Sequence, residues 1–341
     1  MFIITGAAGM IGSALLWELN NRGIDEIIVV DQLGTSDQWK NLVKRQFLGF
    51  VDKDVFLEHV NRNAVEDLII GEFGRGAVRA RLEGIAHLGA CSSTTERDAD
   101  YLIRNNLNYS KALATYAMKK GVRFVNASSA ATYGDGEAGF DDDRDRLDEL
   151  RPLNMYGYSK HLFDVWAQRT GAFAHLASIK FFNVFGPNEY HKEDMRSLVN
   201  KAVPQILEGG RLKLFRSYRE DFPDGGQKRD FVYVKDCARV LADLLLEARG
   251  VNGLFNLGSG QARSWNDLAA AVFAAMDRPV AIDYIEMPEI LRGKYQYFTE
   301  APMDRLRSAL ERCGSSFQPT SLEDAVSDYV RSHLLQDDPY L

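Results

Sequence analysis

Cysteine is scarce in this chain: Cys91, Cys237 and Cys313 are three in 341 residues, odd in number and widely spaced. That argues against both a disulfide framework and a C-x-x-C redox pair. No apolar run approaches the ~20 residues needed to span a bilayer. No internal repeat and no low-complexity tract is visible. The sequence opens directly on Phe2-Ile3-Ile4-Thr5, without basic n-region, apolar h-region or cleavage site, so the expected compartment is the cytoplasm. Positive charge is also short. With 41 Lys and Arg against 48 Asp and Glu, the net charge is -7, which argues against nucleic acid as partner. An anionic ligand would have to be met by local basic residues rather than by a global field. What remains is ordinary for a globular protein, 45% hydrophobic and 26% charged, and about two domains' worth of length.

Phe2 to Thr5 reads as a short buried strand, and helical periodicity runs from Ile11 to Asn21. Between them lies Gly6-Ala7-Ala8-Gly9-Met10-Ile11-Gly12. Strand, glycine turn and helix form the setting in which backbone approaches a pyrophosphate at a helix N-terminus. Glu26 to Asp31 is a second strand, and an acid at its end usually binds a ribose 2′-hydroxyl and favours NAD. Tyr156-Gly157-Tyr158-Ser159-Lys160 places a phenol and an ammonium on one helical face. A bare phenol, with pKa ~10, is a poor base at neutral pH. A nearby ammonium favours the phenolate, giving an acid/base able to exchange a proton with a sugar hydroxyl.

Gly84 to Ala90 reads as a strand that delivers Cys91-Ser92-Ser93-Thr94-Thr95 to the edge where open α/β sheets bind ligands. Cys91 reads as a packed or cofactor-adjacent residue, since no base lies near it in sequence; His87 reads as structural. A long helix from Asp100 to Lys120 carries Asn105, Asn106 and Asn108, and the strand Arg123 to Ala127 delivers Ser128 and Ser129. Further strands are predicted at Ala177 to Phe182, Leu212 to Phe215 and from Gly253, and helices at 197–209, Cys237 to Glu247 and Leu322 to Leu335. The stretch 37–84 is the least informative: Lys53 falls in a charged segment of surface type, and Arg75 to Arg81 looks like a loop-rich insertion. Asp135 to Glu149 and Arg216 to Lys228 read as polar surface segments.

The G-x-x-G-x-x-G spacing, the run Ser128-Ser129-Ala130-Ala131-Thr132-Tyr133-Gly134 and the Tyr156/Lys160 pair together resemble the extended short-chain dehydrogenase/reductase family. Gly89 to Thr95, Phe182-Asn183-Val184, His191-Lys192, Lys228 to Val234 and Arg292-Gly293-Lys294-Tyr295-Gln296 narrow the resemblance. They are similar to the branch that epimerises C6 of ADP-glycero-manno-heptose in lipopolysaccharide core precursor synthesis. The resemblance implies an α/β fold, a Rossmann-type doubly wound parallel sheet with a smaller mixed α/β substrate domain. The implied division is interleaved: 1–181, 233–259 and 297–321 for the cofactor, against 182–232, 260–296 and 322–341 for the substrate. It also implies an isomerase with tightly held NADP (NAD as the alternative), a nucleotide-sugar substrate, no metal, and homo-oligomers, often pentamers. The active site is expected in the cleft between the domains.

The roles follow from the same resemblance. Tyr156 and Lys192 are the two acid/base groups on opposite sides of the sugar. Ser129 holds the reacting oxygen, with Ser128 as fallback, and Lys160 holds the ribose and lowers the Tyr156 pKa. Cofactor contacts are implied for Gly6, Gly9, Met10, Ile11, Gly12, Asp31, Gln32, Lys53, Leu88, Gly89, Ala90, Cys91, Ser92, Asn105, Lys160, Val184 and Lys192. Substrate contacts are implied for Ser129, Asn183, Asp194, Lys201, Phe215, Arg216, Ser217, Tyr218, Arg229 and Tyr295. A lysine can act as a base only where burial or nearby positive charge lowers its pKa. Arg229 suits a diphosphate because its guanidinium is a bidentate fork. The sequence departs from the family pattern at Met10, Gln38, Asn188, Asp194 and Lys201, and Gln38 stands where a basic cofactor residue is expected.

A 4,6-dehydratase needs Asp-Glu just after the active-site hydroxyl residue, where this chain has Ala130-Ala131. A nucleotide-sugar 4-epimerase shares the serine, tyrosine and lysine but has no need of a second base such as Lys192. A non-catalytic cofactor-binding protein has no need of Tyr156 or Lys160, and both are present.

Overall fold

Strands that read as unbroken apolar runs need cover on both faces, which a parallel sheet receives from its crossover helices. The computed structural model describes residues 1–74, 81–292 and 295–341. Residues 75–80 of the expected insertion and Gly293-Lys294 lie outside the described residues. The strands are β1 (Phe2–Thr5), β2 (Ile27–Asp31), β3 (Gly49–Asp52), β4 (Gly84–His87), β5 (Arg123–Ser129) and β6 (Leu176–Phe181). They continue as β7 (Asn183–Phe185), β8 (Leu212–Phe215), β9 (Lys228–Tyr233), β10 (Gly253–Leu257), β11 (Ala262–Ser264) and β12 (Ile282–Ile285). One seven-stranded sheet runs in the order β10-β6-β5-β4-β1-β2-β3 with every pair parallel. Its order reverses between β1 and β4, so their C-terminal ends open the crevice in which such sheets bind ligands. This is the doubly wound α/β sheet that the sequence implies.

The helices are α1 (Met10–Asn21), α2 (Lys53–Asn61), α3 (Val65–Phe73), α4 (Ala99–Leu102), α5 (Tyr109–Lys120) and α6 (Met155–Arg169). After them come α7 (Leu198–Gly209), α8 (Val234–Leu246), α9 (Trp265–Ala275), α10 (Glu289–Arg292), α11 (Asp304–Glu311) and α12 (Leu322–Tyr329). Smaller sheets, β11-β9-β7 and β12-β8, lie with α7, α9 and α12 around a second apolar core that includes Val203, Ile206, Leu268, Val272 and Val326. Two helices serve both cores. On α1, Met10 and Ala14 face the second core while Leu15, Leu16 and Leu19 face the first. On α8, Val234 and Ala238 are divided from Cys237, Leu241 and Leu244 in the same way. Spacing by four keeps each set on its own stripe. Full burial of one such leucine contributes ~1.5–3 kcal/mol.

Within the stretch 37–84, residues 37–74 are more ordered than their sequence suggests. They hold β3, α2 and α3, yet β3 buries only Val51 of its four residues and so carries no alternating signal. Lys53 opens α2 behind Asp52, whose carboxylate accepts from the N–H groups of Asp54 (2.8 Å) and Val55 (3.3 Å). The helix expected from Cys237 begins at Val234, and the strand from Gly84 stops at His87 rather than Ala90. The last helix passes at Val330–Leu334 into a wider π turn. No described helix is long and apolar enough to cross a membrane.

Candidate active site

The glycine turn is held by contacts that leave no room for side chains. Gly6 has φ +67°, and a Cβ there would lie 2.5 Å from the Gly89 nitrogen; one at Gly12 would lie 2.1 Å from the Gly6 carbonyl oxygen. Both distances are far inside van der Waals contact, so the β1 and β4 loops can meet only as glycines. Asp31, at the end of β2, accepts from the N–H of Ala8 at 2.8 Å and from that of Gln32 at 2.7 Å. Burial raises its pKa, and these backbone donors oppose the rise. Asp31, Gln32, Gln38, Lys53, Cys91, Tyr101 and Asn105 line a pocket of about 170 Å³. The Lys53 ammonium at its rim donates to Asn105 Oδ1 at 2.8 Å. Beyond it, sharing Gly6, Asp31, Gln38, Gly89 and Ala90, opens a cleft of about 630 Å³, in the range of small-molecule and cofactor sites. A glycine cradle, an acid closing β2 and this volume fit a nicotinamide dinucleotide.

Two buried side chains fix the β4 loop above the cradle. Asn106 accepts from the Cys91 N–H at 2.9 Å and donates to the Cys91 carbonyl and to Ser159 Oγ, both at 3.0 Å. His87 pairs with Thr5 Oγ1 at 2.6 Å and Ser110 Oγ at 2.8 Å. Burial lowers its pKa to about 3, so it is a neutral cross-link. The Cys91 thiol is pushed up by burial, the opposite of an activated nucleophile.

The large domain brings Ser129, Tyr156 and Lys160 to one wall of the cleft. Ser129 ends β5 and caps a 3₁₀ turn by accepting from the Ala131 N–H at 3.1 Å. Asn154 caps α6 by accepting from the Gly157 N–H at 2.8 Å. A Cβ on Gly157 would lie 2.6 Å from the Ala131 carbonyl oxygen, so glycine lets α6 press against the Ser129 turn. Lys160 is buried, donates to the Ala127 carbonyl at 2.8 Å, and is pulled down to about 8 by that burial, with Asp164 opposing. The expectation that Lys160 lowers the Tyr156 pKa is not met. Burial raises the phenol above its ordinary value, and the Ser129 hydroxyl only partly offsets this. Ser128 also borders the cleft, but its hydroxyl is engaged with Asp164 Oδ2 at 2.7 Å.

The same cleft is lined by Lys192, in the turn Tyr190–Met195 that follows β7. Burial lowers its pKa and Glu189 opposes the shift. The one partner of its Nζ among the described residues is Met10 Sδ, a weak acceptor, at 3.3 Å. The Glu189 carboxylate is held by the N–H and hydroxyl of Ser197 (2.6 and 2.5 Å) and by the Tyr329 hydroxyl (3.0 Å). His191, lowered by burial to about 4, pairs with Asn41 Nδ2 at 3.4 Å. A half-buried lysine whose amine has no strong acceptor and is lowered by loss of water suits proton exchange better than an exposed one.

Gly9, Met10, Ile11, Leu88, Ser92, Asn183 and Val184 line the same cleft. Asp194, Lys201, Phe215, Arg216, Ser217, Tyr218, Arg229 and Tyr295 do not. Lys201 donates to the Asp194 carbonyl at 2.5 Å, and Arg216 pairs at the surface with Asp224 (3.8 Å) and Glu286 (3.6 Å). Ser217 donates its N–H to Asp224, and the Tyr218 hydroxyl donates to Glu286. Phe215 ends β8, half-buried. Arg229 is buried beneath Tyr295 and Trp265, its guanidinium 5.1 and 5.9 Å from the ring centres, and donates to the carbonyls of Lys228 and Gln296.

Sequence reasoning missed Phe181, Phe182, Glu193 and Met195 of the cleft and Tyr101 and Tyr109 of the pocket. The first four adjoin residues already singled out and were within reach. The two tyrosines come from the helical run above the β4 loop, and no local pattern marks them. Among the described residues no group of His, Cys, Asp and Glu could hold a metal ion.

A family model described as the NAD dependent epimerase/dehydratase family matches residues 2–258. A relative from Nitratidesulfovibrio vulgaris (strain DP4), named ADP-L-glycero-D-manno-heptose-6-epimerase, is 54% identical over 341 residues and covers 100% of both chains. One of the same name from Fusobacterium nucleatum is 44% identical over 350 residues, again with 100% of both covered. Among solved structures, the Helicobacter pylori ADP-L-glycero-D-manno-heptose-6-epimerase has a TM-score of 0.74 at 23% identity, covering 97% of this chain and 95% of that one. That likeness speaks to the fold. The Thermus thermophilus UDP-glucose 4-epimerase, solved with NAD, has a TM-score of 0.68 at 25% identity, with 96% and 98% covered. With its model matched from the first strand through β10 and relatives alike over the whole length, this chain belongs to the NAD dependent epimerase/dehydratase family.

Proposed function

We propose that the chain inverts C6 of ADP-glycero-manno-heptose, from D-glycero to L-glycero, through a transient 6-keto sugar. The observation that carries this reading is Lys192, a half-buried amine lowered by loss of water, lining the same cleft as Tyr156. An epimerase that oxidises a carbinol and reduces it on its other face must remove the hydroxyl proton on one side and supply it on the other. A bound nicotinamide supplies the redox chemistry by accepting hydride from C6 and returning it. Ser129 holds the C6 oxygen beside Tyr156. One acid/base group takes the hydroxyl proton, and once the ketone has turned, the other delivers a proton to the same oxygen. Proton for proton the pair balances: phenol with amine starts from one epimer, with Lys192 as base and Tyr156 as acid, and ends as phenolate with ammonium, the state that starts from the other epimer.

The cofactor proposed is NADP, with NAD as the alternative. Both Asp31 oxygens already accept backbone N–H groups, which leaves the acid only part of its acceptor capacity for a ribose. The Lys53 ammonium on the pocket rim offers charge to a 2′-phosphate. Arg229 and Tyr295 are proposed to meet the nucleotide part of the substrate from the small domain, on the strength of the resemblance. The interleaved division at 181/182, 232/233, 259/260, 296/297 and 321/322 is proposed for the two domains, supported by the two apolar cores. A cytoplasmic homo-oligomer is proposed as the working form.

The test is to incubate the purified protein, with no added cofactor, with ADP-D-glycero-D-manno-heptose and to separate the C6 epimers by chromatography. Conversion to a mixture is expected, with NADP recovered from the denatured protein. No conversion, even with NADP or NAD added, would overturn the heptose reading in favour of a 4-epimerase, to be sought with a nucleotide-sugar panel.

A further inference from the structure

We propose that the segment Asp338 to Leu341 is a clasp that positions the Lys192 turn, with Asn188, Tyr190 and Tyr340 as positioning residues. The proposal rests on the reading of Lys192 as the second acid/base.

With only a thioether beside it, the Lys192 amine is not placed by its own hydrogen bonds. Its position is set by the turn that carries it, and that turn is built from unfavourable backbone. Asn188 has φ +70° and Glu193 φ +47°. Such conformations persist only where the surroundings over-determine them. Glu189 anchors one side to α7 and α12, as described. The other side is anchored by the clasp. The Asn188 side chain, fully buried, accepts from the Leu341 N–H at 3.1 Å and donates to Ser13 Oγ at 2.9 Å. Tyr190 donates its hydroxyl to the Pro339 carbonyl at 2.8 Å, and its ring meets that of Tyr340 edge-on at 5.0 Å. Asn41 Nδ2 reaches both the Asn188 carbonyl (3.1 Å) and the Ala8 carbonyl (2.8 Å), joining this turn to the glycine loop.

The clasp has fastenings of its own. His333 Nδ1 pairs with the Pro339 carbonyl at 2.9 Å, and Lys44 reaches the Asp338 carboxylate (2.9 Å) and the Tyr340 carbonyl (2.8 Å). Leu341 is buried in the second core. The charged and titratable groups about Lys192 are Glu189, Tyr190, His191, Glu193 and Asp194 on or beside its own turn and Tyr329 behind Glu189; on the clasp side they are Lys44, His333, Asp338 and, beside Tyr340, Lys40 and Asp37. None of the clasp's carboxylates pairs with Lys192, so the clasp acts by holding the turn and excluding water rather than by charge.

Tyr190→Phe, Tyr340→Ala and a truncation after Asp337 test this in the otherwise full chain, isolated with whatever nucleotide it retains. The first readout is competitive labelling of Lys192 against exposed lysines as a function of pH, followed by peptide mass spectrometry. Loosening the clasp should admit water and move the Lys192 midpoint up toward the ordinary value of ~10.4. The second is epimerisation, where kcat should fall on the order of ten- to a hundred-fold, as small misplacements do, with KM little changed. In a Lys192→Ala background the same changes should have little further effect. An unmoved midpoint would overturn the proposal, and so would losses fully additive with Lys192→Ala. Tyr190→Phe keeps the ring and its packing, so it decides the matter if the truncated chain does not fold. If Lys192→Ala were as active as wild type, the catalytic reading would fall, while the labelling midpoint would still report on the clasp.

Discussion

Loss of water raises the Tyr156 phenol and lowers the Lys192 amine, the two groups proposed as the acid/base pair. Removing either group, as in Tyr156→Phe or Lys192→Met, should lower kcat by about 10²- to 10⁴-fold with a smaller change in KM, measured by epimer chromatography. Lys160 predicts a pH effect. Its ammonium form is lost through about 8, so activity that depends on it should fall on the alkaline side near that value. A rate–pH profile in which Lys160→Met lacks this limb would bear it out. The effect on stability has the opposite sign. A folded pKa below the unfolded 10.5 means that the unfolded chain binds more protons between the two values, so stability rises with pH across that window. Urea midpoints of the wild type should therefore gain on those of Lys160→Met as pH rises through about 8. The residues themselves were legible: helical spacing pairs Tyr156 with Lys160, and strand ends deliver Ser129. The sign of the Tyr156 shift was not, because spacing reports adjacency and is silent on desolvation.

Among the elements, α6 has to hold its place against β5 and β6 for the cleft wall to exist. A buried pair secures it: Lys180 Nζ on β6 lies 3.5 Å from Asp164 Oδ2 on α6, both side chains fully buried. The same carboxylate accepts from Ser128, and Lys180 also donates to Thr132 Oγ1 at 2.7 Å and sits 4.3 Å from the Tyr133 ring centre. Asp164→Ala strands this ammonium in the interior and should destabilise the protein by about 3–5 kcal/mol, read as a drop in urea midpoint. Asp164→Asn, which keeps an acceptor, should cost less. Strands such as β1, β2 and β6 were readable because their residues are apolar without interruption. At the sheet edge β3 buries one residue and escapes notice, and α2 looks like a solvated segment because its exposed face is charged. The clasp was equally silent, since Asp338-Pro339-Tyr340-Leu341 has neither periodicity nor a motif and gains meaning only from its neighbours in space.

For the molecule as a whole, the decisive fact is that α1 and α8 each belong to two cores. Melting the small domain would strip one face of both helices, so the two cores should unfold together. Trp166 packs against the first core and Trp265 against the second. With the other tryptophans replaced by phenylalanine, either one alone should report the same denaturation midpoint by fluorescence. Two separated midpoints would mean that the domains are independent. That the chain crosses between layers was implied by its resemblance; the crossings implied at 181/182 and 232/233 carry no linker signal, because the first separates two adjoining strands and the second lies inside β9. The parallel sheet also sorts its edges. Chemistry gathers where the strands end, while Met1 lies at the other edge, its amine 4.0 Å from Glu26 and from Glu83. Leu341, by contrast, is bonded to Asn188, just ahead of the turn that carries Lys192. A bulky probe attached near Leu341 would therefore act on the Lys192 turn, whereas one on the face beside Glu26 and Glu83 would stand at the opposite edge of the sheet from the chemistry.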